Sequence, residues 1–137
     1  MSFGKVALLY LACVVAFLAI DAVWLSTMTS RFYQPRLGHL MTAQPKLGVA
    51  AAFYLLYVVG VVALAVIPGL REGSLLAAVW RGAVFGLVAY ATYDLTNLAT
   101  LRDWPVDLTV VDLVWGTTLT GAVAAAGYWA GGLLGLR

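Results

Sequence analysis

The sequence predicts an all-α integral membrane protein, a four-helix transmembrane bundle forming a single domain over residues 1–137. Three observations predict it. Hydrophobic residues make up 64% of the chain and charged residues 10%, against roughly 45–50% and ~25% in soluble domains. Six acids and eight bases are too few to cover a soluble core with polar side chains. Four apolar stretches are each long enough to cross a hydrocarbon layer of ~30 Å, which takes ~20 helical residues.

The first helix is expected over residues 6–27, with Lys5 at its edge and Asp21 inside it. It exceeds the ~7–15-residue core of a cleavable signal, and no Ala-x-Ala site follows it, so it is expected to remain as a span. The second is expected over residues 47–67, free of charge between Lys46 and Pro68-Gly69, which are read as its stop. The third covers 75–98 and the fourth 108–134, with Asp107 as its N-cap. Residues 28–45 are expected to form a polar connection in the headgroup region, where Arg31, Phe32, Tyr33, Arg36, Leu37, Leu40 and Met41 have the pattern of a short interfacial amphipathic helix that Pro35 and Gly38 oppose. The short PGLREGS segment reads as a tight turn, and TLRDWPVD carries Trp104 as an interfacial anchor.

Four crossings put both termini on one face. Lys5, Arg71, Arg81 and Arg137 fall on that face; Arg31, Arg36, Lys46 and Arg102 fall on the opposite, loop face. The basic residues therefore tie and set no orientation by the positive-inside rule; Asp103 and Asp107 on the loop face tilt the reading towards cytoplasmic termini. The formal net charge of +2 comes without a basic stripe, so nucleic acid is not an expected partner. The lone Cys13 excludes an internal disulfide. No HxxxH or CxxC spacing, nucleophile elbow, phosphate loop or dinucleotide fingerprint occurs, so neither a metal nor a cofactor is expected.

The informative pattern is depth. Asp21 lies near the end of the first helix, Asp94 near the end of the third and Asp112 near the start of the fourth. Because these helices alternate in direction, all three carboxylates lie towards the loop face, within about 10 Å of the boundary at 1.5 Å per residue. Insertion of such an acid costs ~2.5–3.5 kcal/mol, which makes each one a functional candidate. Mutual repulsion and burial predict that at least one is protonated near neutral pH.

The neighbouring residues fit a shared pocket. Tyr90, Tyr93, Asp94 and Asn97 form one stripe of the third helix, continued by Gly82 and Gly86 as a GxxxG. Asp112, Trp115 and Gly116 group on the fourth helix, and Asp21 and Trp24 on the first. Asp-x-Val-Trp thus occurs twice, at 21–24 and 112–115, and Tyr-x-x-Tyr occurs at 54–57 and 90–93, a pattern compatible with an inverted repeat. Arg31, Arg36, His39, Arg102 and Asp103 are the candidate loop-face partners of the acids.

The segments FYLLYVVG (53–60), AYATYDLTNLATLRDWP (89–105), VVDLVWG (110–116) and FLAIDAVWL (17–25) resemble the domain-of-unknown-function family numbered 2177. Those are small bacterial membrane proteins with four predicted helices. The resemblance covers nearly the whole chain. It implies this fold and a bacterial inner-membrane location, and it implies no activity.

Three functional readings follow. The leading one is a membrane-embedded binding or transport-like module whose acidic pocket takes a small polar or amphiphilic, lipid-like ligand. Any transport by so few helices requires a homo-oligomer. The second is a lipid-modifying enzyme with an interfacial Asp as general base, for which no nucleophile or oxyanion site is evident. The third is a scaffold or accessory subunit of a larger membrane complex, favoured by the glycines at 116, 121, 127, 131, 132 and 135. The lipid bilayer is a partner in all three.

Overall fold

The computed structural model describes residues 1–137 and contains helices and no strand. Four helices are long and apolar enough to span a membrane: α1 (Phe3–Leu37), α2 (Leu47–Glu72), α3 (Leu75–Thr100) and α4 (Val106–Leu133). They alternate in direction, so both termini share one face, termed terminal; the α1–α2 and α3–α4 connections share the other.

Two helix ends differ from the sequence expectation, for one physical reason. The first helix runs on through most of the expected polar connection to Leu37, and the second runs through Pro68-Gly69 to Glu72. A proline lacks the N–H of the helical ladder, and its ring presses on the carbonyl four residues earlier. In each helix a π turn, Thr29–Tyr33 or Val62–Val66, ends two residues before Pro35 or Pro68. The Gln34 N–H bonds the Thr29 carbonyl, and the Ile67 N–H bonds that of Val62. The wider turn makes room for the ring and the helix continues. Gly73, at φ 62°, is what ends α2. The N–H groups of Gly73 and Ser74 bond the carbonyls of Leu70 and Gly69 in a Schellman arrangement. The Ser74 hydroxyl then accepts the N–H of Ala77 to open α3. At 35 residues, α1 is about 52 Å long by its rise of 1.5 Å per residue. That exceeds the ~40–45 Å of a whole bilayer and carries Arg31 and Arg36 to the interface.

The fourth helix begins at Val106, with Pro105 at the capping position. Asp107 lies in the first turn and pairs with Arg36 at 2.9 Å. Trp104, read from sequence as an interfacial anchor, is instead buried, and its indole donates to the Thr109 hydroxyl at 3.1 Å.

The core-facing side of each helix repeats every four residues, as one helical face does. On α1 the buried series is Leu9, Cys13, Phe17, Asp21; on α3 it includes Ala78, Gly82, Gly86, Asp94; on α4 it includes Leu108, Asp112, Gly116, Thr120, Ala124. The helix α4 is central, and its contact with α3 is the most extensive in the bundle. There the backbones meet through small residues. A Cβ on Gly86 would run into the Gly116 carbonyl and the Thr120 side chain; one on Gly82 would meet the Thr120 carbonyl at 2.8 Å and the Ala124 Cβ at 2.7 Å.

The glycines of α4 are covered from within the bundle. Tyr90 lies on Gly116, Cys13 and Val66 on Gly127, Leu70 on Gly131 and the Arg137 side chain on Gly132. Gly135, beyond the end of α4, is exposed.

Gly86→Leu should lower thermal stability in detergent by about 1–3 kcal/mol, the cost of overpacking a close contact. Val88→Leu, on the exposed side of the same helix, should change it by less than about 0.5 kcal/mol. Equal unfolding midpoints would mean that the two helices do not meet at Gly86.

Candidate functional site

Each of the three membrane aspartates lies at the loop-face part of a core-facing stripe, so the packing that hides the stripes brings the acids together. Asp21 and Asp112 are 8% exposed and Asp94 is 0% exposed. Asp94 lies on the face of α3 that meets α4, beside Asp112. Neither Asp94 oxygen has a donor.

The donors to the other two acids are aromatic. The Trp115 indole donates to Asp21 Oδ1 at 3.3 Å. The Tyr33 hydroxyl donates to Asp112 Oδ1 at 2.8 Å and accepts the Trp24 indole N–H at 3.1 Å. The Trp24 and Trp115 rings stack 4.2 Å apart, 6° from parallel. The two Asp-x-Val-Trp segments thus face each other across the α1–α4 contact. The tryptophan of one reaches the aspartate of the other, directly in one direction and through Tyr33 in the opposite one.

Beside this network lies a cavity of about 770 Å³, within the ~300–1,000 Å³ of ligand sites. From α1 it is lined by Asp21, Trp24, Leu25, Thr29, Tyr33 and Leu37, with Met41 from the connection closing its loop-face end. From α2 come Ala50, Phe53 and Tyr54; from α3, Ala89, Tyr90, Thr92, Tyr93 and Thr96; from α4, Leu108, Asp112 and Trp115. It exists because α2 and α3 diverge. They pack closely near their shared turn, where the second half of α2 lies on α3, while the first half of α2 has little contact with α3. The open side runs between them, where Phe53, Thr92, Tyr93 and Thr96 are exposed. Thr92 and Thr96 turn their hydroxyls onto carbonyls of their own helix, which satisfies them without water.

Several expected site residues stand elsewhere. Asp94 lies behind Asp112 and not on the cavity wall, and the half-buried Asn97 is not part of the lining. Both sit on the expected stripe, but the cavity meets a face of α3 rotated from it, made by Ala89, Tyr90, Thr92, Tyr93 and Thr96, so of the stripe only Tyr90 and Tyr93 reach the cavity. Tyr90 does so because Gly116 leaves room for its ring, and Tyr93 packs edge-on against Trp104 at 5.6 Å. Arg31, His39, Arg102 and Asp103 are exposed. Arg36 pairs with Asp107, and no ion pair reaches Asp21, Asp94 or Asp112. The extension of α1 holds Arg36 by Asp107, and the α3–α4 turn leaves Arg102 exposed.

Sequence reasoning missed Tyr33, Phe53 and the two threonines of α3. For Tyr33 a signal was present: Asp21, Leu25, Thr29, Tyr33 and Leu37 recur every four residues. That period continues straight through the segment taken as a connection.

Tyr33→Phe should cost about 1–3 kcal/mol, because it leaves Asp112 and the Trp24 N–H short of a partner in an apolar layer. Asp107→Asn breaks an exposed ion pair and should cost no more than about 1 kcal/mol. Thermal unfolding of both variants in one detergent checks this; the reverse order would remove Tyr33 from the network.

No curated protein and no solved structure matches the chain. A family model described as "Predicted membrane protein (DUF2177)" matches residues 6–129. The match runs from the first turns of α1 to the last of α4 and includes all three membrane aspartates, and by it the chain belongs to this family of predicted membrane proteins.

Proposed function

We propose that the protein is a membrane-embedded binding module whose acid-based cavity takes a small polar or amphiphilic ligand from the bilayer. The observation that carries the reading is the cavity itself. It joins an apolar wall, open between α2 and α3, to a polar end made by Asp21 and Asp112. A molecule with one polar end and a hydrocarbon remainder matches both parts. The setting we assign is the inner membrane of a bacterium, with both termini cytoplasmic.

The same geometry suits a proton. Asp94 faces Asp112, has no donor on either oxygen and has no cation in contact. One proton between the two carboxyls supplies the missing donor and removes one buried charge. A site of this kind can release or take up a proton as a ligand enters.

Two experiments test the two parts. An amphiphile with a brominated chain should quench Trp24 and Trp115, and its unbrominated analogue should reverse the quenching. The reversible component should disappear in Trp24→Phe/Trp115→Phe. If instead the double variant quenches as the wild type does, the probe reports only the exposed Trp80 and Trp129, and the binding reading fails. For the proton, wild type at neutral pH should show a protonated-carboxyl infrared band that is lost in Asp94→Asn. Its absence from the wild type would mean two ionised carboxylates and no shared proton.

A further inference from the structure

The chemistry of the cavity wall narrows the ligand class, and this step rests on the binding reading above. Thirteen of the 18 lining residues are hydrophobic. The polar remainder consists of Asp21, Asp112 and three threonines, and no Lys, Arg or His is among them. A phosphate, sulfate or carboxylate headgroup entering this space would meet carboxyls in a layer of low dielectric with no cation to offset them. A neutral headgroup would leave the acids uncompensated.

Two further features favour positive charge. Behind Asp112, Asp94 is wholly buried with no donor on either oxygen, and one proton shared between the two still leaves that pair with a negative charge beside the cavity. The rings of Trp24, Phe53, Tyr54, Tyr90, Tyr93 and Trp115 also border the space, and aromatic faces attract cations, most strongly where water is scarce. No group of His, Cys, Asp or Glu is disposed to hold a metal ion. The wall fits an organic cation with apolar bulk.

We infer that the cavity binds a lipophilic cation free of phosphate, an ammonium group carrying a hydrocarbon chain. The ammonium sits by Asp21 and Asp112, and the chain lies along the open side between α2 and α3. Phosphatidylethanolamine, whose phosphate would lie beside the same acids without a base, is a poor occupant by this reasoning.

Calorimetric titration of the purified protein in a non-ionic detergent, corrected for partition into empty micelles, tests the inference. The probes are decyltrimethylammonium, decyl sulfate and the uncharged isostere of the first, in which carbon replaces nitrogen. Decyltrimethylammonium should bind saturably and the other two at least about tenfold more weakly. Asp21→Asn/Asp112→Asn should lose at least about tenfold in affinity for the cation. Asp107→Asn, which changes an exposed acid outside the cavity, should keep it. If the double variant fails to fold by circular dichroism, Asp21→Asn alone carries the same expectation. Added phosphatidylethanolamine should leave the isotherm unchanged; competition by it would overturn the phosphate-free assignment. Equal binding of the isostere or of decyl sulfate, or equal loss in Asp107→Asn, would overturn the cation inference while leaving a binding cavity. Binding of none of the three probes, together with no reversible quenching of Trp24 and Trp115, would remove the binding module as well.

Discussion

The close approach of α3 to α4 sets where the other parts of the bundle lie. Lipid chains are as apolar as leucine, so helices in a bilayer gain little from hiding apolar surface and associate through close packing instead. Gly82 and Gly86 against Gly116, Thr120 and Ala124 supply that packing. Asp94 lies on the same face of α3 as Gly86, about two turns further on. The contact that encloses one therefore encloses the other, and it presses the Asp94 carboxyl towards Asp112. The same glycine row opens the space into which the Tyr90 ring fits.

The second constraint is that polar groups at this depth must find partners inside the protein. Asp21 and Asp112 find them in neutral donors, the Trp115 indole and the Tyr33 hydroxyl. A hydrogen bond to a carboxylate contributes about 1.5–3 kcal/mol, the same order as the ~2.5–3.5 kcal/mol insertion cost of the acid. The aromatic network therefore holds Asp21 and Asp112 in position without an ion pair. Asp94, without such a donor, is where the arrangement is left incomplete.

The two π turns explain how the cavity acquires its loop-face end. Had α1 stopped at residue 27, Tyr33 would have belonged to a headgroup segment and Asp112 would lack its donor. The π turn at Thr29–Tyr33 lets the helix continue, which carries Tyr33 to Asp112 and Leu37 to the rim of the cavity. In α2 the turn at Val62–Val66 has the corresponding effect at the terminal face. It keeps Leu70 in the helix, packed on Gly131.

Apolar length, the number of crossings and the shared depth of Asp21, Asp94 and Asp112 were determined by the sequence alone. Each depends only on composition or on position along a helix of fixed rise. That Gly82 and Gly86 mark a close helix contact was legible for the same reason, since small residues four apart announce a close face; that α4 is the helix they meet came only from the structure. Four further things were decided only by the tertiary structure: the hydrogen bond from Tyr33 to Asp112, the enclosure of Asp94 behind the cavity wall, the pairing of Arg36 with Asp107, and the gap between α2 and α3. Local rules read Pro68 as a helix stop and residues 28–45 as a connection, because they weigh a missing hydrogen bond and local polarity without the packing that makes a π turn worth forming. The cavity is a space between helices, and its shape depends on how far two axes diverge from a shared turn, a quantity set by every side chain along both.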